Sequence, residues 1–433
     1  KAGLSVLLFE KQNLGGVCLN EGCIPTKTLL HSAKLYDHAL DSAAYGVTAE
    51  SVRVDHAAVI ARKERVIKTL VGGVCAAMKA SGVTTVNGRA VITGKDPAGY
   101  SVKANGDRYV GKNLIIATGS ESVLPPIEGL RESLNSGFAV TNRELLFSCE
   151  APKRLVVVGG GVIGLEMASY YQMTGTAVTV VEMMDHIAGP CDKDLVKLLQ
   201  KNYERGGMRF ELNACVKAIG NSRVLCQRGG ETFDLEADRV LVALGRRPNS
   251  QDLGLESIGV LLENGAVRTD CHMRTNVPGI YAVGDINGKS MLAHTAYREA
   301  EVAVHTILGQ KDTMSYRAIP SVLYTIPELS SVGLTEEEAK AQGLDVAVVR
   351  IPMAYSGRYV AENENGDGIF KLVIDKKLRT VVGAQVLANY SSEFIAVVGI
   401  FIELAVPIDL IKKQVFPHPT VAEIIREAAC QFA

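Results

Sequence analysis

Apolar runs that close on an acidic residue or lead into glycine recur through the first part of the chain. Residues 4–10 and 177–182 are two such runs, each ending in glutamate, and residues 155–158 form another that leads directly into glycines. Continuous apolar runs of this length are typical of strands in parallel sheets that are buried on both faces. The pattern therefore predicts buried parallel strands at these three positions.

A glycine-rich turn at residues 159–164 joins one of these runs to a predicted helix. Gly-x-Gly-x-x-Gly is weak evidence alone, but here it follows a strand and precedes a helix, and Glu182 lies 18 residues after its last glycine. These are the components of a dinucleotide-binding unit. Gly159 would make the turn, Gly161 would admit the pyrophosphate and Gly164 would let the helix pack closely. The alternative is a glycine turn that serves packing alone.

The acidic residue Glu182 bears on which dinucleotide is bound. A carboxylate accepts a hydrogen bond from a ribose hydroxyl and repels a 2′-phosphate. The sequence therefore favours NAD over NADP.

The strand pattern is duplicated, which predicts a second nucleotide domain. Residues 114–119 and 240–245 are again apolar runs ending on glycine, each toward the end of its own copy. By analogy with the second copy, Glu10 would hold the ribose of another adenine nucleotide. Its glycine loop would lie upstream of Lys1, and we expect such a segment to precede the sequence. Two related domains imply two dinucleotides with electrons passing between them.

From about residue 318 the pattern changes. Residues 368–374 and 381–387 show strand-like patterns, and residues 392–404 form a helix-like stretch that is apolar on more than one face. Such a helix is most often part of a core and less often part of a subunit interface.

Composition excludes several classes of protein. The 433 residues carry a net charge of −1, with 47% hydrophobic and 21% charged residues. This balance excludes a strongly basic nucleic-acid-binding surface and a disordered chain. No apolar run approaches the roughly 20 residues of a membrane-spanning helix. The nine cysteines are odd in number and scattered, unlike the disulfide framework of a secreted protein, so a reducing compartment, the cytoplasm, is predicted.

Two cysteines, Cys18 and Cys23, are separated by four residues in a glycine-rich segment. A bridge between them requires a distorted turn, and Asn20 and Gly22 are residue types that tolerate one. Pro25 favours the first turn of a helix, which would place Cys23 at a helix N-terminus, where exposed amide groups stabilise a thiolate. The pair is a candidate redox couple; two buried thiols and half of a zinc site are the alternatives, and the absence of a second cysteine pair argues against zinc.

With these features combined, the chain resembles the flavin-dependent disulfide reductases of the pyridine nucleotide-disulfide oxidoreductase family, and within them the dihydrolipoamide dehydrogenases most closely. The segments that carry the resemblance are residues 15–27, 117–120, 159–166, 245–249, 275–285, 291–294, 320–325 and 418–423.

The resemblance implies an α/β fold with two Rossmann-like three-layer dinucleotide-binding domains and a C-terminal α+β dimerisation domain. The implied boundaries are an FAD-binding domain at 1–150, an NAD-binding domain at 151–271, a segment at 272–317 that completes the FAD domain and an interface domain at 318–433.

The resemblance also implies the site residues. Cys18 would exchange with substrate and Cys23 would face the flavin. His418, oriented by Glu423, would be the acid/base that reaches the disulfide of the other subunit. The residues expected to hold FAD are Glu10, Lys27, Ala90, Thr118, Gly119, Ser120, Asp285, Met291, Leu292, Ala293 and His294, with Lys27 and Glu166 as an ion pair beside the flavin. The residues expected to contact NAD are Gly159, Gly161, Gly164, Glu166, Glu182, Val216 and Gly245.

The implied reaction is oxidation of protein-bound dihydrolipoamide with reduction of NAD⁺, through FAD and a Cys18–Cys23 disulfide. The implied partners are a second copy of the chain, in a homodimer, and the lipoyl domains of a 2-oxoacid dehydrogenase or glycine cleavage complex. No nucleic acid, membrane or metal is implied.

The sequence is also compatible with several alternatives. Thr420 and Glu423 also match a helix capping box, so that Glu423 could serve only as a cap, and His418 between two prolines could be part of a rigid surface turn. Where the family often has a second histidine this chain has Phe416, and Glu21 adds a negative charge between the cysteines. The rival functions are a glutathione-type disulfide reductase and a non-catalytic binding role.

Overall fold

The computed structural model describes residues 2–364 and 366–433; Lys1 and Asn365, which fall in the predicted domains 1–150 and 318–433, lie outside the described residues. The helices are α1 (Gly16–Glu21), α2 (Cys23–Leu40), α3 (His56–Ala80), α4 (Leu130–Asn135), α5 (Asn142–Phe147), α6 (Val162–Met173), α7 (Lys193–Arg205), α8 (Ala293–Ile307), α9 (Glu336–Ala341), α10 (Gly357–Glu362), α11 (Ser391–Glu403), α12 (Ile408–Ile411) and α13 (Ile424–Gln431).

The strands are β1 (Leu7–Glu10), β2 (Thr84–Asn87), β3 (Ala90–Asp96), β4 (Gly99–Ala104), β5 (Asp107–Gly111), β6 (Leu114–Ile116), β7 (Ser120–Ser122), β8 (Ala139–Val140), β9 (Arg154–Val158), β10 (Ala177–Val181), β11 (Arg209–Glu211), β12 (Cys215–Gly220), β13 (Arg223–Arg228), β14 (Glu231–Glu236), β15 (Arg239–Val242), β16 (Arg246–Pro248), β17 (Leu262–Glu263), β18 (Ala266–Val267), β19 (Ile280–Ala282), β20 (Ser321–Leu323), β21 (Leu329–Gly333), β22 (Val346–Pro352), β23 (Ile369–Asp375) and β24 (Thr380–Leu387).

The chain divides into two compact units. The first consists of the residues up to Pro25, Ala61–Leu124 and Leu244–Ser315, and the second of Thr26–Ile60, Pro125–Ala243 and Tyr316–Ala433. The domain boundaries at 150, 271 and 317 stay predictions. Within the described part of the chain, none of the helices has both the length and the hydropathy needed to cross a membrane.

The second unit contains a parallel sheet in the order β11-β10-β9-β15-β8. Strand β9 has a neighbour on each side, and its residues Leu155, Val156, Val157 and Val158 are at most 3% exposed. The predicted buried parallel strands at 155–158 and 177–182 are thus confirmed. Because β9 is central, the glycine turn that follows it leaves the sheet at the position where dinucleotide-binding sheets bind their ligand.

The first unit contains two parallel strand pairs, β1 with β2 and β6 with β19. The prediction of a buried strand at 4–10 is wrong in its burial, because Leu4, Val6 and Leu7 are 45%, 45% and 36% exposed. The reason is that β1 pairs along one edge only among the described residues, so it lacks the cover that β9 receives from both sides.

An antiparallel sheet in the order β20-β21-β24-β23-β22 forms the C-terminal part of the second unit. The predicted strands at 368–374 and 381–387 are confirmed as β23 and β24, and the helix at 392–404 as α11. α11 packs against β21 and β24. Its residues Phe394, Ile395 and Val398 are in the core, whereas Ile400 is 56% exposed.

A buried ion pair links β23 to the start of α7 within this unit. The side chains of Lys371 and Asp192 are each 1% exposed and form a salt bridge. The other carboxylate oxygen of Asp192 accepts hydrogen bonds from the backbone N–H groups of Asp194 and Leu195, which caps α7. Glu336 lies 3.4 Å from the Lys371 ammonium.

Asp192→Ala is expected to lower the free energy of unfolding by about 3 kcal/mol, because it leaves a buried ammonium without its closest partner and removes a helix cap. Chemical denaturation of the variant and the wild type measures the difference. Asp194→Ala is the matched control, since Asp194 is 58% exposed and lies 3.8 Å from the same ammonium. Equal losses in the two variants would contradict this account.

Candidate active site

The cysteine pair forms a disulfide at the junction of two helices. Cys18 lies in α1 and Cys23 is the first residue of α2, with their Cα atoms 4.6 Å apart. A Cβ on Gly22 would lie 3.0 Å from the Val17 carbonyl oxygen and 3.2 Å from the Cys18 Cα. Glycine at 22 therefore allows the two helices to meet at the angle that brings the thiols together.

Asn20 contributes through its side chain rather than by tolerating a distorted backbone. It lies within α1, and its amide nitrogen donates to the carbonyl oxygens of Leu14 at 3.0 Å and Gly16 at 2.9 Å. These bonds fasten α1 to the glycine-rich segment before it. The glycines there, Gly15 and Gly16, have φ of 98° and 66°.

The start of α2 at Cys23 confirms the predicted helix N-terminus, with Pro25 in the first turn. The other seven cysteines are free, and no cluster of three potential metal ligands occurs within residues 2–364 and 366–433. The bonded pair at a helix N-terminus favours the redox interpretation over the zinc alternative.

A second cluster joins α2 and α6. The Lys27 ammonium donates to both oxygens of Glu166, at 2.9 and 2.7 Å, and Glu166 is 3% exposed. The backbone N–H of Tyr324 donates to the same carboxylate at 3.0 Å, and its ring centroid lies 4.6 Å from the ammonium. Burial, with the nearby carboxylates, raises the pKa of the Tyr324 hydroxyl. The structure thus contains the expected ion pair and adds Tyr324, whose sequence signal was its place in the 320–325 segment that carries the resemblance.

The glycine turn lies beside Glu182. A Cβ on Gly164 would lie 2.2 Å from the Gly159 carbonyl oxygen, whereas a Cβ on Gly161 would meet nothing within 4 Å. Glu182 accepts hydrogen bonds from the backbone N–H groups of Gly160 at 2.7 Å and Met184 at 2.8 Å. The open space at Gly161, the N-cap of α6, fits a pyrophosphate.

The two remaining residues of the predicted NAD set, Val216 and Gly245, lie outside the glycine turn. Val216 lies in β12, half-buried against the hydrophobic cluster that includes Val158 and Val181. Gly245 has a φ of 94° with open space beside it. Their roles toward NAD stay predictions.

Several residues of the predicted FAD set lie at one turn of the first unit. The Ser120 hydroxyl donates to the Asp285 carboxylate at 2.5 Å, and the Thr118 hydroxyl donates to the Asn249 carbonyl oxygen at 2.8 Å. Gly119 has a φ of 69° with open space beside it. One carboxylate oxygen of Asp285 accepts no hydrogen bond from the described residues, which fits a ligand rich in hydroxyl groups.

Two further residues support this turn, and the sequence interpretation did not assign them. Arg246 donates to the Ser120 hydroxyl and carbonyl oxygens, both at 2.7 Å, and burial lowers the pKa of its guanidinium. Glu299 is 0% exposed and accepts a hydrogen bond from the Gly284 backbone N–H at 2.6 Å. Arg246 belongs to the Gly-Arg-Arg-Pro-Asn segment, which was the one available signal.

The other predicted FAD residues are placed at strand and helix ends of the first unit. Glu10 ends β1 and accepts from the Gln12 backbone N–H at 2.8 Å, and Ala90 begins β3. The 291–294 segment contains Leu292, the N-cap of α8.

His418 and Glu423 form a hydrogen-bonded pair in the second unit. The Glu423 carboxylate accepts from His418 Nδ1 at 2.9 Å with one oxygen and from the Thr420 backbone N–H at 2.8 Å with the other. The His418 side chain is 80% exposed. Glu423 therefore satisfies both interpretations made from the sequence, because it orients the imidazole and caps the turn that leads into α13.

The hydrogen bonds of Glu423 are expected to make a pH-dependent contribution to the free energy of unfolding. The Thr420 backbone N–H, and after it the His418 side chain, lower the pKa of the Glu423 carboxyl from its ordinary 4.5. The unfolded chain therefore takes up the proton first, so the stabilisation is present above pH 4.5 and is lost as the pH falls through the lowered pKa. Glu423→Ala is expected to lower the free energy of unfolding by about 1 kcal/mol at pH 7, the usual cost of losing a helix cap, and by less below pH 4.

Urea unfolding at several pH values measures this difference. Glu427→Ala, at a more exposed glutamate of α13, is the control and should show little change with pH. A Glu423→Ala difference that stays constant or grows on acidification would contradict the linkage.

Comparison with known proteins extends these observations to nearly the whole chain. Residues 1–300 match the family described as pyridine nucleotide-disulphide oxidoreductase, and residues 319–429 match its dimerisation domain. The chain is 38% identical to a dihydrolipoyl dehydrogenase from Geobacillus stearothermophilus, over 99% of this chain and 91% of that protein. It is 36% identical to one from Vibrio cholerae, over 99% and 90%.

Solved structures give the same fold. The HOCl-induced flavoprotein disulfide reductase RclA from Escherichia coli superposes with a TM-score of 0.87 at 28% identity, covering 100% of this chain and 95% of that one. LpdA from Mycobacterium tuberculosis superposes with a TM-score of 0.89 at 24% identity, covering 99% and 94%, and at that identity supports the fold alone.

Proposed function

The chain belongs to the pyridine nucleotide-disulphide oxidoreductase family, and from that premise we propose that it oxidises protein-bound dihydrolipoamide to lipoamide and reduces NAD⁺ to NADH. The observation that carries the proposal is the Cys18–Cys23 disulfide, with Cys23 at the N-terminus of α2. The relatives named dihydrolipoyl dehydrogenase support this substrate, since they match at 34–38% identity over 99% of the chain.

The disulfide would accept the two electrons of the substrate. A thiolate of dihydrolipoamide attacks Cys18, forming a mixed disulfide and releasing Cys23 as a thiolate. The second substrate thiol then closes the lipoamide ring and releases Cys18. Two protons leave the substrate thiols in this exchange; His418 would accept one and the other would pass to solvent, with Glu423 holding the imidazole in one tautomer.

The remaining proposed roles concern the cofactors. FAD, when bound, would supply the two-electron carrier between the cysteine pair and NAD⁺. The Ser120–Asp285 turn would hold its hydroxyl-bearing part. Lys27, fixed by Glu166, would place a positive charge beside it. Glu182 would bind the adenosine ribose of NAD.

The proposed active form is a homodimer, supported by the match of residues 319–429 to the family's dimerisation domain. His418 of one subunit would serve the disulfide of the other. The proposed partners are the lipoyl domains of a 2-oxoacid dehydrogenase or glycine cleavage complex.

The test compares NAD⁺ reduction by dihydrolipoamide with NADPH oxidation by glutathione disulfide, on FAD-loaded full-length protein. Activity in the first assay alone supports the proposal. Activity in the second assay alone would indicate the second candidate function, a disulfide reductase that passes electrons from the nicotinamide nucleotide to a disulfide substrate. The 28% identity to the flavoprotein disulfide reductase RclA supports this candidate. No activity in either assay with flavin bound contradicts both.

A further inference from the structure

The middle glycine of the turn, Gly160, makes contacts that the Gly-x-Gly-x-x-Gly pattern does not require. Its backbone N–H donates to Glu182 Oε2 at 2.7 Å, and its carbonyl oxygen accepts from the Ala188 backbone N–H at 2.8 Å. Gly160 is therefore hydrogen-bonded both to the carboxylate at the end of β10 and to the loop that follows it. In the motif this position accepts any residue, so the pattern alone does not call for a glycine here.

The missing side chain of Gly160 matters as much as its backbone. A Cβ there would lie 3.2 Å from Glu182 Oε2 and 3.3 Å from both its Cβ and its Cγ. The carboxylate cannot turn aside freely, because Oε1 is held by the Met184 backbone N–H at 2.8 Å. An added methyl group would therefore push Glu182 aside by a few tenths of an ångström and strain its two hydrogen bonds.

The loop at residues 183–189 reinforces this arrangement. Ile187 is 0% exposed and Ala188 is 3% exposed, so the loop is anchored in the core. Ala188 has a φ of 60°, in the left-handed region that costs a non-glycine residue about 1 kcal/mol or more. Its N–H nevertheless donates to the Gly160 carbonyl oxygen. The packing around the loop therefore fixes Gly160, whose own N–H in turn holds Glu182.

We infer that Gly160 is a positioning residue for dinucleotide selectivity, which holds the Glu182 carboxylate where it binds the adenosine ribose hydroxyls of NAD and repels a 2′-phosphate. The inference rests on the proposed function, in which NAD is the electron acceptor. Each Glu182 oxygen takes one backbone N–H and keeps a lone pair for a ribose hydroxyl. Gly160 acts through Glu182 and does not itself need to touch the nucleotide.

The test is a double-mutant cycle on FAD-loaded full-length protein that has first been fully reduced with dithionite under anaerobic conditions, so that NADH and NADPH bind without transferring hydride, with their binding measured by calorimetry. Gly160→Ala should raise the Kd for NADH about tenfold, the effect of losing one hydrogen bond to a charged group, without raising the Kd for NADPH. In a Glu182→Gln background the same substitution should change the NADH Kd by less than about twofold, because the Glu182 carboxylate, through which Gly160 acts, has already been removed.

Two outcomes would overturn the inference: an unchanged NADH Kd in Gly160→Ala, or an equal loss in both backgrounds, which indicates a merely structural role. Gly220→Ala is the control, since Gly220 lies in the same unit with nothing within 4 Å of an added Cβ. If the wild type does not bind NADH more tightly than NADPH, the proposal that NAD⁺ is the electron acceptor is wrong. If the wild type does prefer NADH and Gly160→Ala leaves the NADH Kd unchanged, only the present inference about Gly160 is wrong.

A second measurement applies if Gly160→Ala does not fold. Glu182→Ala removes the acceptor of the Gly160 N–H without adding bulk to the turn. Hydrogen exchange in the peptic fragment that contains Gly160 should then be about tenfold faster than in the wild type. Unchanged exchange would show that Glu182 does not hold the turn and would overturn the inference.

Discussion

Replacing His418 by Gln is expected to lower dihydrolipoamide oxidation by about 10²- to 10⁴-fold, the usual contribution of a positioned acid/base. The Glu423 carboxylate can only accept a hydrogen bond, so Nδ1 of His418 carries a proton and Nε2 is left as the basic atom. The side chain is 80% exposed, as a group that serves a second subunit would be. Imidazole titrates in the range needed to take a proton from a thiol.

The measurement separates proton transfer from the rest of the reaction. NADH oxidation by an artificial acceptor such as ferricyanide does not use the cysteine pair, so His418→Gln should leave it nearly unchanged. His38→Gln, at an exposed histidine of α2, is the matched control and should keep both activities. Equal loss of both activities in His418→Gln would refute the role.

Replacing Cys18 or Cys23 by Ser is expected to lower dihydrolipoamide oxidation by roughly 10⁴-fold or more, because the covalent exchange has no alternative path without a disulfide. The NADH and ferricyanide reaction should persist in both variants. Cys75→Ser, at an exposed free cysteine of α3, should behave as the wild type. Substantial dihydrolipoamide turnover in Cys18→Ser would contradict the assignment.

The two cysteines should also differ from each other. If Cys18 is the exchanging thiol, Cys23→Ser should still form a stoichiometric mixed disulfide with an aromatic disulfide, and Cys18→Ser should react much more slowly. The reverse order would exchange the two proposed roles and leave the reaction itself unchanged. Mass spectrometry of the modified peptide identifies the thiol.

Features set by local backbone geometry were predictable from the sequence. Pro25 and the glycines around the cysteine pair indicated a helix beginning at Cys23, and the structure begins α2 there. The run at 155–158 followed by glycines indicated a strand, turn and helix, which are β9, the turn and α6. Such features depend on residues a few positions apart, and glycine and proline restrict or permit backbone angles regardless of what packs around them.

Burial was less predictable. Residues 4–10 and 155–158 are similar apolar runs, but only the second is in the core. Composition records how apolar a strand is, whereas its burial depends on the strands and helices that pack around it. Glu423 shows the same limit. From the sequence, a helix cap and a partner for His418 were alternative roles for this residue. In the folded turn one carboxylate oxygen bonds to His418 and the other to the Thr420 backbone N–H.

Residue types and their spacing were enough to identify the cysteine pair, the strand and glycine turn with its following acid and, through resemblance, the family. The contacts of Arg246 with Ser120, of Tyr324 with the Lys27–Glu166 cluster and of Gly160 with Glu182 became visible once the chain was folded. Spacing along the chain encodes contacts within a turn or a helix. Contacts between residues far apart in the chain depend on how strands and helices pack, and single residues carry no local signal of them.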